Sequence, residues 1–176
     1  MSGTGDRTAG AALHFGTVTS LLIAAGAFVL MEPITAATHR WVMHGVGWAL
    51  HRSHHRRVAT RLEANDVFPV VFAAIVCIGL AIGFNVDGWS ALLAVGAGVT
   101  VYGIAYALVH DGYIHRRIGL FGDWRPAPLE RLADAHALHH RFNDAPYGML
   151  VPVVPDRVRQ RAGASGSTPS QVPVEA

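Results

Sequence analysis

The sequence predicts an all-α integral membrane protein: about three to four transmembrane helices with a cytoplasmic, histidine-rich cap. Three observations carry this. Hydrophobic residues make up 51% of the 176-residue chain and charged residues only 15%, well below the roughly 25% charge of a soluble domain. Three apolar runs are long enough to cross a bilayer. Ten of the eleven histidines fall in four clusters that flank those runs, leaving only His14 outside.

The first run covers 15–37, "FGTVTSLLIAAGAFVLMEPITAA", and the second, "VFPVVFAAIVCIGLAIGF", covers 67–84 without a charge. The third, "WSALLAVGAGVTVYGIAYALV", covers 89–109. At about 1.5 Å per residue each approaches the ~30 Å hydrocarbon thickness. Only "NVDG" separates the second from the third, so they form an antiparallel hairpin. The first run leads straight into a histidine cluster behind a nearly neutral N-terminus, which argues against a secretory signal peptide.

Orientation follows from arginine. Lysine is absent; five arginines lie in 38–66, none in the hairpin and eight after residue 110. Both arginine-rich segments are therefore expected on the cytoplasmic side of the inner (plasma) membrane, with the hairpin tip outside. A pI near 9.1 invites a nucleic-acid reading, but the arginines avoid the apolar runs instead of forming a basic stripe, so no nucleic-acid partner is expected. Cys77, the single cysteine, is expected to pack within its run. Glu32 beside Pro33 is either a functional intramembrane acid or a carboxylate reaching water or an arginine near a helix end. Residues 1–156 form the membrane domain, and 157–176, small, polar and proline-containing, are expected to be a disordered tail.

The histidines repeat a pattern. "HRWVMH" (39–44) precedes "HRSHH" (51–55), and "HDGYIH" (110–115) precedes "HALHH" (136–140). On an α-helix i, i+3 and i+4 share one face, so H-x2-H-H is expected to present three imidazoles together. From Pro128, Leu129 and Leu132 lead into His136, His139 and His140 on one stripe. H-x4-H differs, because five residues turn a regular helix about 140° past a full turn. Either the helix ends between the two histidines, as Gly112 suggests for the second pair, or each pair divides between neighbouring ions.

Two copies of a five-histidine pattern on one side of a membrane point to metal. Ten imidazoles exceed one ion's capacity and fit two. A structural zinc site needs four ligands, usually including cysteine; imidazole alone suits zinc, copper, iron and nickel. No transport path is evident in the three spans, which favours redox chemistry over metal handling.

With these motifs in place, "HRWVMHGVGWALHRSHH", "EANDVFPVVFA", "GAGVTVYGIAYALVHDGYIHRR" and "LERLADAHALHH" resemble the bacterial β-carotene hydroxylases of the membrane fatty acid hydroxylase superfamily, over about 28–155. The resemblance implies a non-haem di-iron monooxygenase using O2 and two electrons, usually from a ferredoxin and its reductase, on a lipid-dissolved carotenoid. The implied reaction is 3-hydroxylation of β-ionone rings, from β-carotene through β-cryptoxanthin to zeaxanthin. The ligand and catalytic set carried over is His39, His44, His51, His54, His55, His110, His115, His136, His139 and His140, with Asp111 and Asp134 as candidate acceptors that orient them. Alternatives are another oxidase of the superfamily, such as a lipid or sterol desaturase or a carotenoid ketolase, or a non-enzymatic membrane metal-binding protein. One departure stands out: after the last cluster this chain reads "RFNDAPYGMLVPVVP", where the family often has a longer, cysteine-containing stretch.

Overall fold

The computed structural model describes residues 5–56 and 62–165, with side chains from Gly16 onward. Among the described residues every regular element is helical. Helix α1 (Gly5–Ala37) continues as a π-helical turn over Thr38–Val46, followed by the short α2 (Trp48–His51). A 3-10 turn at Ala64–Asp66 leads into α3 (Val67–Asn85), and α4 (Ala91–Ala107) continues as a second π-helical turn, Leu108–Ile114. Helices α5 (Ala127–Phe142) and α6 (Asp156–Ala164) are the last elements of the described residues.

Three stretches are long and apolar enough to cross a membrane: Gly16–Val46, Ala64–Asn85 and Ala91–Ile114. Two of them outrun the expected ends at 37 and 109, because each helix runs on through an added π-turn, one carrying His39 and His44 and the other His110 with His115 at its cap. Ile75 and Ile78 on α3 are 60% and 61% exposed, an inverted arrangement that suits lipid and not water as the surrounding solvent. Cys77, expected to pack, is likewise exposed on α3.

Internal contacts divide the chain into two compact units. One holds residues up to Met31 with Val71–Tyr102. Within it small residues set the helix spacing: a Cβ on Gly98 would lie 2.1 Å from the Ala24 carbonyl oxygen, so only glycine lets α4 approach α1 this closely. Phe28 and Tyr102 meet edge to face nearby, with ring centroids 5.7 Å apart. The α3–α4 hairpin turns through Gly88, whose φ of +84° suits a residue without Cβ.

The other unit, Glu32–Val70 with Gly103 onward, carries all ten clustered histidines. Helix α5 starts after Pro126, in extended conformation, and ends at Asn143 in the left-handed region (φ 53°), whose N–H reaches the His139 carbonyl. As the stripe predicts, Leu129 and Leu132 pack against a core of Tyr113, Ile114 and Met149. The opposite face places Leu138 against Val158 and Ala162 of α6. Helix α6 therefore replaces the start of the expected disordered tail: Val158 and Ala162, four apart, form the one apolar stripe in that arginine-rich segment. The rest of that stretch, 166–176, lies outside the described residues.

Candidate metal centre

All ten imidazoles converge. His39, His44, His51, His55 and His139 form one group, and His54, His110, His115 and His136 another; within each, ligand-type atoms lie within 4.8 Å of one another. His140 joins the second group, its Nε2 3.2 Å from that of His54. The grouping departs from one of the two expectations for H-x4-H, division of each pair between ions. His39 and His44 stay together, with ring centroids 5.0 Å apart, and so do His110 and His115 at 4.6 Å. Neither pair is split between groups; the first lies wholly inside its π-turn, while the second π-turn ends at Ile114 with His115 as its cap. The helix widens: the His115 N–H donates to the His110 carbonyl five residues back, and i→i+5 bonding returns residue i+5 to nearly the face of residue i. Gly112 does not break the turn; it makes room for Phe121, which a Cβ there would meet at 3.1 Å.

The H-x2-H-H triplets, expected to act together, divide two to one. His51 and His55 belong to the first group while His54 crosses to the second; His136 and His140 belong to the second while His139 crosses to the first. Adjacent positions on a helical turn point about 100° apart, so the i, i+4 pair shares a direction that the i+3 residue does not. Each half of the sequence thus builds most of one group and donates one histidine to the other.

Every histidine presents Nε2 inward. His39 and His51 approach at 3.1 Å, His51 and His55 at 3.2 Å, and His44 and His139 at 3.1 Å. In the second group His54 and His110 approach at 3.0 Å, and His115 and His136 at 2.9 Å. For several rings the outer nitrogen fixes the tautomer. Nδ1–H of His39 donates to the Tyr147 carbonyl (3.1 Å), that of His139 to the Asp144 carbonyl (2.6 Å) and that of His51 to Asn65 Oδ1 (2.7 Å). Nδ1–H of His54 donates to Glu63 and that of His110 to Asp111, both at 3.1 Å. A neutral ring that donates from Nδ1 has only a lone pair on Nε2. His39 against His51 and His54 against His110 are therefore bare lone pair facing bare lone pair, an arrangement that needs a cation between them. Burial first, then repulsion from neighbouring imidazoles, pushes His54, His55 and His115 down to about 3 and also lowers His136, His139 and His140. The rings are neutral near pH 7, the form that ligates metal. The residues fit two cations.

The "EAND" segment holds two of the histidines. Glu63 and Asn65 accept from His54 and His51, and Asp66 takes two hydrogen bonds from Arg117, at 2.8 and 2.9 Å. Arg117 also reaches Asp111 at 3.2 Å, which in turn accepts from His110. Asp111 thus makes the anticipated hydrogen bond to a clustered histidine. Asp134 accepts from no histidine among the described residues. Glu63, Asn65, Asp66 and Arg117 were not singled out individually from sequence; two acids and an amide just before an apolar run form a capping signature that would have marked the first three. Glu32 follows neither expectation. Its carboxylate accepts the backbone N–H groups of Met149, Leu150 and Val151 at 2.9–3.1 Å and ties that segment to α1.

Residues 24–160 match the model of the fatty acid hydroxylase family, and the chain belongs to that family. Within it, the chain is similar to bacterial enzymes named for a particular substrate. It is 46% identical over 112 residues to the beta-carotene hydroxylase of Pseudescherichia vulneris, covering 64% of this chain and 62% of that one. It is 35% identical over 154 residues to the beta-carotene hydroxylase of Paracoccus sp. (strain PC1), covering 85% and 94% respectively. Beta-carotene 3-hydroxylase 1 of Arabidopsis thaliana, a chloroplastic protein, is 40% identical over 142 residues, 78% of this chain and 44% of that one. No solved structure matches the chain.

Proposed function

We propose that this protein is a carotenoid 3-hydroxylase that converts β-ionone rings at a histidine-held pair of iron ions, taking β-carotene through β-cryptoxanthin to zeaxanthin. One observation carries the site: ten Nε2 atoms gathered into two adjacent groups with their tautomers set from outside. The relatives' names supply the substrate class and favour hydroxylation over desaturation, ketolation or metal storage. The enzyme is an oxidoreductase of the hydroxylase type. Two irons, when bound, supply the electron-changing chemistry by which O2 takes hydrogen from an unactivated ring carbon, a step beyond any protein acid or base. In the balanced reaction one oxygen atom enters the ring and the other leaves as water, with two electrons and two protons consumed. We assign the electrons to a ferredoxin and its reductase.

The chain's own work is positional. His39, His44, His51, His55 and His139 would hold one ion, and His54, His110, His115, His136 and His140 the other. Acceptors at Asn65, Glu63, Asp111 and two backbone carbonyls keep the Nε2 lone pairs pointing inward. In a host that accumulates β-carotene, expression is expected to yield 3-hydroxylated products by chromatography. Keto or desaturated products, or unchanged β-carotene in a host with a competent electron donor, would reject this reading.

We place the protein in the plasma membrane with both histidine-bearing segments in the cytoplasm, on the 5: 0: 8 division of arginines between 38–66, the hairpin and the segment after 110. A cysteine introduced at Asn85 is expected to be labelled by an impermeant reagent in intact cells, and one at Gly166 is not. Equal labelling from outside would reverse or abolish this topology.

A further inference from the structure

A crevice of about 450 Å³ opens between the end of α1 and the segment 145–153. Ala36, Ala37 and Trp41 line one wall, and Tyr147, Val151 and Val153 the other. Its rim is open and largely apolar: Trp41, Val151 and Val153 are 67%, 69% and 76% exposed, and the one cation in the described lining, Arg40, lays its guanidinium 5.6 and 5.9 Å from the Trp41 and Tyr147 ring centroids. Trp41 belongs to the stretch Gly16–Val46, so that wall continues a membrane-spanning helix. Glu32 also lines the crevice, and its carboxylate accepts three backbone N–H groups of residues 149–151, which fixes the opposite wall.

Tyr147 connects this space to the metal centre. Its ring centroid lies 5.6, 5.4 and 5.5 Å from those of His39, His44 and His139, all in the first group. Its carbonyl fixes the His39 tautomer. One face of the tyrosine thus borders the ligands while the residue also lines the crevice.

We propose, resting on the hydroxylase reading above, that this crevice seats one cyclic end group of the carotenoid, with Tyr147 as the positioning residue between that ring and the first histidine group. The volume falls within the usual range of small-molecule pockets, about 300–1,000 Å³. It suits a trimethylcyclohexenyl ring and the first few polyene carbons, whereas a forty-carbon chain must extend beyond it. The open rim, apolar apart from Arg40, lets the remainder of the polyene stay in lipid, so each ring is bound in a separate event.

The test uses the iron-loaded full chain, kept without O2 and reductant in lipid nanodiscs and titrated with β-carotene, whose polyene quenches tryptophan emission. The Trp41→Phe variant is expected to lose the saturable quenching component. Ala36→Phe fills the crevice and is expected to raise half-saturation at least tenfold; Val153→Asp, at an exposed position less demanding of the fold, is expected to do the same. Acyclic lycopene should compete at least tenfold more weakly than β-carotene. In the iron-loaded enzyme the two crevice variants should show a raised KM with unchanged metal content. Tyr147→Ala should spread hydroxylation over more than one ring carbon, with Tyr147→Phe restoring a single product.

Unaltered quenching and KM in both crevice variants, while the wild type hydroxylates β-carotene, would overturn this seat and leave the activity standing. Equal competition by lycopene would also overturn it, since the occupant would then be a chain and not a ring. Crevice-dependent, ring-selective quenching in a protein that never hydroxylates β-carotene would instead uphold the seat and defeat the hydroxylase reading.

Discussion

Hydroxylation is expected to fall by more than about 100-fold when either His54 or His139 is replaced by alanine, since even the outer partners of metal ligands typically cost 10–100-fold. These are the two histidines that cross between the halves. His54 Nε2 meets both His110 and His140 in the second group, at 3.0 and 3.2 Å, and His139 Nε2 meets His44 in the first, at 3.1 Å. Each removal leaves four rings of a five-histidine group, the set proposed to hold one ion, and deprives one half of its tie to the other. Two-metal chemistry needs both ions at once, so damage to one group silences both. Product assays should be paired with metal analysis: bound iron should drop from about two per chain toward about one, as a two-metal site damaged on one side requires. His14→Ala, outside every cluster, should remain near wild type. A His139→Ala enzyme with most of its activity would show that the two groups work independently.

The next largest effect is expected at Asn65, which touches no proposed metal position. The Oδ1 of this buried side chain accepts from His51 Nδ1 at 2.7 Å, and the Asn65 backbone N–H donates to Ser53 Oγ at 3.1 Å. Asn65→Leu keeps the volume but leaves the His51 N–H without an acceptor. The ring then gains nothing from holding its proton on Nδ1, and moving that proton to Nε2 blocks the lone pair that faces His39 and His55. Metal affinity and turnover should both fall by about 10–100-fold. Asn65→Asp supplies an acceptor at the same place and should recover most of the loss, which a purely packing role would not. Equal defects in the two variants would remove Asn65 from the set of positioning residues.

The spans were legible because a bilayer demands some twenty apolar residues in succession, a requirement that needs no knowledge of tertiary structure. The α5 stripe was legible for a similar reason: Leu129, Leu132, His136 and His139 follow a helical repeat that the core then uses. The pairing of His39 with His44 was not, since a spacing of five reads as divergent on any α-helix. Only the π-turn, rare and concentrated at functional sites, brings the two rings to 5.0 Å. Nor was the crossing of His54 and His139, because which direction an i+3 histidine takes depends on a partner 56 or 95 residues away. Glu32 illustrates the same limit: an acid among apolar residues suggests water, arginine or chemistry, and three amides more than a hundred residues along the chain are invisible to local pattern. The segment "RFNDAPYGMLVPVVP" has no helical or alternating period, yet it supplies Tyr147 and one wall of the crevice.

Metal content after purification does not identify the working ion, because nitrogen donors bind zinc more tightly than ferrous iron. The decisive measurement is therefore reconstitution: the metal-free chain in lipid is loaded anaerobically with ferrous iron or with zinc, then given O2, ferredoxin, its reductase and β-carotene. Zinc has no accessible redox change, so 3-hydroxylated product should form with iron and not with zinc. Equal product with zinc, or none with any electron donor while both irons are bound, would contradict a hydroxylase working through this histidine centre.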